Sequence, residues 1–249
     1  MQTLEINNVY NMDCLEGMDL IPDGIIDMIL CDLPYGTTDC KWDKSIIPFS
    51  ALWEQYNRII KENGVIVLTS AQPFTTQLIQ SNMKMFRYCW YWVKNTPTGF
   101  CFAKVQPMRK VEEVCVFYKK VPTYNPQGLK KVENPRIRKR KPIQGHPEDW
   151  VYNSTLNGEY TTKWTNYPNN VLQIKSERGL HPTQKPVELF EYLIKTYTHE
   201  GDIVLDNCMG SGTTAIACRN TNRNYIGFEK DVGYYEIIQN RIREHQVER

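Results

Sequence analysis

Two stretches of the chain carry residue types that could do chemistry together. In the first, the apolar run Ile25-Ile-Asp-Met-Ile-Leu-Cys31 passes directly into Asp32-Leu33-Pro34-Tyr35-Gly36. In the second, Ile203–Leu205 ends at Asp206, Gly210-Ser211-Gly212 follows, and Thr213 opens a segment carrying Ala215, Ile216 and Ala217. An acid, Glu229, stands 17 residues after Gly212, at the end of the next apolar run. An acid, a proline-fixed turn and an aromatic ring after a buried strand place a carboxylate, backbone carbonyls and a stacking face where parallel sheets bind ligands. Glycines let backbone approach a ligand without a Cβ in the way. A carboxylate at the end of the following strand can accept hydrogen bonds from both hydroxyls of a ribose.

The first constellation suits an exocyclic amine on an aromatic ring as nucleophile. The lone pair of such an amine is delocalised, so it attacks poorly until the nitrogen is drawn towards tetrahedral geometry. The Asp32 carboxylate and the Leu33 carbonyl, each accepting one N–H, would do that and aim the lone pair at a sulfonium methyl. Tyr35 would stack on a base swung out of a duplex. The plainer reading of these residues has Asp32 cap a turn and Tyr35 pack in the core. The glycine loop, in its strand–turn–helix–strand–acid setting, points to an adenosine-containing cofactor, and taken alone it also admits an NAD-dependent oxidoreductase. Its position weighs against that alternative. Only one helix remains after Glu229, so earlier strands must complete the sheet and the domain must be circularly ordered.

The elements that position these residues are legible as apolar, β-branched runs alternating with amphipathic segments. Strands are predicted over Ile25–Cys31, Val65–Thr69, Tyr88–Val93, Val111–Tyr118, Ile203–Asp206 and Tyr225–Glu229, with a weaker one over Asn8–Met12. Helices are predicted over Pro48–Ile60, Pro186–Tyr197 and Tyr235–Arg243. Alternation of this kind predicts an α/β fold with a doubly wound, mostly parallel sheet. The chain is expected to divide into a catalytic half (1–120), an irregular insertion (121–180) and a cofactor-binding half (181–249). The insertion contains prolines at 122, 126, 135, 142, 147 and 168 and shows no period.

The 249 residues have a formal net charge of +2 that is unevenly spread. Residues 119–178 carry twelve Lys or Arg and five acids, a net of +7, against −5 for the remainder. That concentration suits a polyanionic partner. Within it, Arg136-Ile-Arg138-Lys139-Arg140-Lys141 has five cations in six residues, interleaved with Trp150, Tyr152, Tyr160 and Trp164 in the wider segment. Cations neutralise phosphates, and Arg, Asn and Gln can read base edges. The eight cysteines form no CxxC pair, so reduced, buried thiols are expected and a structural metal is not. There is no run of 18 apolar residues and no signal-type N-terminus, which makes the cytoplasm the expected compartment. Lys41-Trp42-Asp43 is expected in a loop over the base pocket, with Trp42 either facing that pocket or anchoring the loop in the core.

These motifs resemble those of the β class of amino-group DNA methyltransferases. Asp32-Leu33-Pro34-Tyr35 resembles the family's D-P-P-Y signature, and Asp206-Asn207-Cys208-Met209-Gly210-Ser211-Gly212-Thr213 its D-P-F-x-G-S-G-T loop. His181-Pro182-Thr183-Gln184-Lys185-Pro186 matches its H-P-T-Q-K-P segment. The resemblance implies a circularly ordered, Rossmann-like sheet of seven strands, with a target-recognition region inserted between catalytic and cofactor motifs. It implies S-adenosylmethionine as cofactor and DNA as partner, with a cognate restriction endonuclease as a further partner and either a monomer or a homodimer as the working form.

By position, Asp32, Leu33, Pro34 and Tyr35 are then the catalytic residues. The cofactor falls to Asp13 and Cys14, Asp32, His181, Thr183 and Lys185, Asp206, Cys208, Gly210, Ser211, Gly212 and Thr213, with Glu229 on its ribose. Arg136, Arg138, Lys139, Arg140 and Lys141 fall to DNA. Two departures stand out: Leu33 replaces a proline, and Asn207-Cys208 replaces Pro-Phe, removing an aromatic near the cofactor. An acid rather than a serine at position 32 tilts the reading towards adenine N6 over cytosine N4. Methylation of RNA or protein, and a degenerate fold that only binds DNA, are the remaining readings.

Overall fold

A computed structural model describes residues 4–36, 46–135, 137–139, 159–177 and 184–247. In chain order its elements are β1 (Asn8–Asn11), α1 (Cys14–Asp19), β2 (Ile26–Cys31), α2 (Phe49–Ile59), β3 (Ile60–Ser70), α3 (Phe74–Ser81), β4 (Phe86–Thr98) and β5 (Arg109–Phe117). They continue with β6 (Lys130–Lys131), β7 (Ile137–Lys139), β8 (Glu159–Thr161), β9 (Trp164–Thr165) and β10 (Val171–Gln173). The last are α4 (Val187–Tyr197), β11 (Ile203–Asp206), α5 (Thr213–Asn220), β12 (Asn224–Glu229) and α6 (Val232–Val247).

One sheet of eight strands runs in the order β1-β12-β11-β2-β3-β5-β4-β10. From β1 to β3 every neighbour is parallel, with Asp206 beside Gly227 and Cys31 beside Leu68. The hairpin partner β5 runs antiparallel to both β3 and β4. The expected seven strands are joined by an eighth, β10, paired parallel to β4 through Val171–Gln173. Only Leu172 of its three residues is buried, too short a run for an apolar period to reveal.

Period-two alternation explains why helices cover both faces. Met28 and Leu30 of β2 face one core with Val65 and Val67 of β3, packed against Leu189, Phe190, Leu193 and Ile194 of α4 and Ala215 and Ala217 of α5. Ile29 and Cys31 face the other with Ile66 and Leu68, against Leu52, Trp53 and Tyr56 of α2 and Phe74 and Leu78 of α3. Each large aliphatic or aromatic side chain so buried contributes about 1.5–3 kcal/mol. The helix α4 starts at Pro186, which has no side-chain cap of its own; Glu177 Oε1 accepts the Val187 N–H at 3.0 Å instead. The expected start at Pro186 and end at Tyr197 thus fall within one residue of the observed helix.

Pro126–Asn169 forms a second compact unit, apart from the sheet-bearing unit of residues 1–125 and 170–249. The expected insertion limits, 121 and 180, lie outside it on both sides, because Asn170–Gln173 belong to the main sheet. Within the unit, β6 pairs with β9 and β7 with β8, both antiparallel. Beside the β6–β9 pair, Asn166, at φ 62°, donates its amide to the Gly128 carbonyl at 2.7 Å.

Candidate functional site

The carboxyl ends of the parallel strands converge on one cavity of about 490 Å³. Its walls take Asp13 and Cys14 after β1, Asp32 and Pro34 after β2, Asp206 to Ser211 after β11, and Glu229 to Asp231 after β12. Lys185, Thr213, Phe190, Phe228 and Tyr234 also line it. Eleven sequence-predicted residues therefore line one space: Asp13, Cys14, Asp32, Pro34, Lys185, Asp206, Cys208, Gly210, Ser211, Thr213 and Glu229. Gly212 lies just behind, at φ 81° as the residue before α5, and a Cβ there would meet Ile238 at 3.1 Å. His181, Thr183, Lys41–Asp43, Arg136, Arg140 and Lys141 lie outside the described residues. Arg138 and Lys139 lie on β7 of the second unit.

Asp32 follows the last buried residue of β2 and is held from three directions. Its Oδ1 accepts the Tyr35 hydroxyl at 2.6 Å and the Thr69 hydroxyl of β3. Its Oδ2 accepts the Lys185 ammonium at 2.7 Å. A carboxylate has about four acceptor positions, so one on Oδ2 is left for another donor. Tyr35 stacks on Phe74 at 5.1 Å between centroids, with planes 23° apart. Leu33, the departure from the proline, is 3% exposed and packs in the α2–α3 core. Its side chain fills that core, and its backbone remains between Asp32 and Pro34.

Lys185, 6% exposed, also lies 3.7 Å from Glu112 Oε2 on β5, while Lys94 of β4 binds Glu112 Oε1 at 2.7 Å. Burial opposes the Lys185 charge, but Asp32 and Glu112 outweigh it and raise its pKa. Burial likewise opposes the Glu112 charge, and Lys185 and Lys94 overcome it, holding the carboxyl below its usual range. Glu112 Oε2 is buried and has no hydrogen-bond donor among the described residues.

Glu229, which lines the same cavity, is braced by backbone: Oε2 accepts Gly210 N–H at 2.8 Å and Oε1 accepts Asp231 N–H at 2.9 Å. Each oxygen keeps a second lone pair. Burial raises its pKa, against the pull of those two N–H groups. Asp206 accepts the Cys208 N–H at 3.0 Å and the Thr214 hydroxyl, and burial pushes its carboxyl up to about 6. Asp13 caps α1 through Leu15 N–H and meets Lys230 at 3.0 Å. Burial acts against its charge, and Lys230 with the helix N–H groups more than compensates, lowering its pKa. Cys14, Cys31 and Cys208 share hydrogen bonds beside this wall; Cys31 is pushed up to about 12 by burial, and Cys14 is raised by its bond to Cys208 and by burial. These thiols stay protonated at neutral pH. Among the described residues no group of His, Cys, Asp or Glu is arranged to hold a metal.

Four further residues behind the cavity were not predicted from the sequence: Thr69, Lys94, Glu112 and Tyr56, whose hydroxyl donates to Asn207 Oδ1 at 2.6 Å. None lies in a motif. Thr69 carried the one available signal, a hydroxyl at the carboxyl end of an apolar strand. The aromatic that Cys208 replaces has no counterpart at that position; Phe228 and Tyr234 supply rings to the same cavity from β12 and α6.

A family model described as DNA methylase matches residues 26–240. Type II methyltransferase M2.MboI of Moraxella bovis is 28% identical over 262 residues, covering 95% of this chain and 88% of that protein. The solved M1.HpyAVI–SAM complex superposes with a TM-score of 0.64 at 24% identity, covering 94% and 98% of the two chains. PvuII DNA methyltransferase, described as cytosine-N4-specific, gives a TM-score of 0.68 at 17% identity, covering 96% and 87%. At these identities the two structures show a shared fold. No helix among the described residues is long and apolar enough to cross a membrane.

Proposed function

The chain belongs to the DNA methylase family matched over residues 26–240, and from that premise we propose that it methylates adenine N6 in DNA, using S-adenosylmethionine. The observation that carries the proposal is that Asp32 and Glu229 line one cavity, each with acceptor capacity to spare. A space of about 490 Å³ lies within the range of small-molecule sites. Its chemistry fits the cofactor: a braced carboxylate for ribose hydroxyls at Glu229, rings at Phe228 and Tyr234, and glycine backbone between them.

S-adenosylmethionine, when bound, supplies a methyl on a sulfonium centre. The protein's own part is to hold the nucleophile. The remaining acceptor position of Asp32 Oδ2 takes one N–H of the amine, and the Leu33 carbonyl takes the other. Both bonds localise the nitrogen lone pair, and positioning supplies most of the rate. Tyr35, stacked on Phe74, is assigned to stack on a base swung out of the duplex. The carboxylate at position 32, where a serine would favour cytosine, supports adenine. The basic run Arg136–Lys141 is assigned to phosphates and base edges of the target, the cofactor contacts of His181 and Thr183 follow their motif, and Type II relatives support a cognate endonuclease as partner.

Purified protein incubated with S-adenosylmethionine and unmodified genomic DNA, digested and read by nucleoside mass spectrometry, tests this. N6-methyladenine is the expected product. N4-methylcytosine would overturn the base assignment, and the absence of any modified nucleoside would overturn the activity.

A further inference from the structure

The β4–β5 hairpin carries side chains that the cavity does not use. Its tip, 99–108, is built rather than loose. Gly99, at φ 88°, turns the chain; the Phe102 N–H then donates to the Gly99 carbonyl at 3.0 Å and the Gln106 N–H to the Phe102 carbonyl at 3.0 Å. This ordered turn holds three apolar side chains in solvent: Phe100 is 81% exposed, Phe102 55% and Val105 82%. Lys104 on the same turn, and Arg109 and Lys110 at the start of β5, are exposed too. Isolated exposed apolar residues are ordinary, but two aromatics and a valine on one turn, with three cations close in the chain, make a patch that marks an interaction site.

The position of the tip limits what it can meet. The strand β4 points the same way as β3, since both run antiparallel to β5, so the tip leaves the sheet at the carboxyl end, where the cavity opens. Polar contacts tie its root to the site. Arg109 donates to the Gln72 carbonyl at 3.3 Å, two residues before Phe74, on which Tyr35 stacks. Lys94 bridges Thr98 and Glu112, Glu112 meets Lys185, and Lys185 meets Asp32.

Resting on the function proposed above, we infer that the hairpin tip is a wedge for duplex DNA beside the target base. Lys104, Arg109 and Lys110 meet phosphates, and Phe100 or Phe102 enters the base step that opens when the target leaves the stack. Swinging a base out costs a few kcal/mol of stacking, and an aromatic side chain inserted at that step restores part of it. A ring held rigidly on a hairpin loses little entropy on insertion, and charge complementarity selects nucleic acid over a protein partner for the same patch.

The test uses the full chain with Phe100→Ser and Phe102→Ser combined; both side chains are exposed, so folding and cofactor binding are expected to stay as in the parent. Two readings are taken: methyl transfer to unmodified duplex genomic DNA, and anisotropy of a fluorescent duplex of mixed sequence. Loss of stacking of this kind is expected to lower transfer by about tenfold or more and to weaken duplex binding. Transfer and duplex affinity both within about twofold of the parent would overturn the wedge, since such a change is well below the value of one stacked ring. If the parent itself transfers no methyl group, the proposed function fails. The duplex affinities of parent and variant then decide the surface by themselves, equal values overturning it.

Discussion

The parallel half of the sheet, from β1 to β3, and the antiparallel hairpin β4–β5 contribute to the same site in opposite ways. In the parallel half, each strand ends at the cavity and the next residue does the work, as with Asp32 after Cys31 or Asp206 at the end of β11. The hairpin instead sends side chains sideways from mid-strand, so Lys94, 4% exposed, and Glu112 brace Lys185 from a neighbouring strand. Chemistry at strand ends is written as contiguous sequence. Chemistry across strands exists only once the register, Trp92 opposite Glu112, has formed.

The connection between the halves is a row of buried charges, and breaking it gives the largest expected effect. Glu112→Ala leaves Lys94 and Lys185 near each other without the carboxylate between them, which is expected to cost about 3–5 kcal/mol of stability, read by urea unfolding. Glu112→Leu combined with Lys94→Met removes the strand-to-strand pair and is expected to recover most of that loss. A small loss in the single variant would mean that the two halves are not coupled through this pair.

A second effect belongs to the parallel half alone. Burial lifts Asp206 from an ordinary 3.8 to about 6 in the folded protein. A carboxyl with a raised folded pKa favours folding when protonated. Its contribution is therefore fully present below about pH 4 and lost as pH rises to about 6, a swing of about 3 kcal/mol at most. Relative to Asp206→Asn, the unfolding free energy of the parent is expected to fall across that window and to level off above it. A difference between the two that is flat with pH would show that burial does not penalise the charge.

The same contrast explains what was legible in the sequence. The run Ile25–Cys31 gave β2 to within one residue because a strand buried on both faces reads as continuous apolar residues. The acid, proline and tyrosine behind it sit in one peptide, and the glycine loop announces its own backbone demands. The short helices α1 and α3, six and eight residues, gave too few turns for a period to register. Lys94 and Glu112 read as ordinary charged strand residues, because what makes them functional is a partner 18 residues away and a lysine on another element. Phe100 and Phe102 fall between the predicted strands Tyr88–Val93 and Val111–Tyr118, and nothing in their spacing announces a turn that leaves them exposed.

Asp32 is the acceptor that the proposed mechanism gives the task of positioning the amine. Single-turnover methyl transfer to duplex DNA by Asp32→Ala, measured beside S-adenosylmethionine and DNA affinities, isolates that role. The expected result is a loss of about a hundredfold to a thousandfold in transfer, the scale of removing one positioned polar group, with both affinities close to those of the parent. Transfer at near the parental rate would contradict the assignment and move the amine away from this carboxylate.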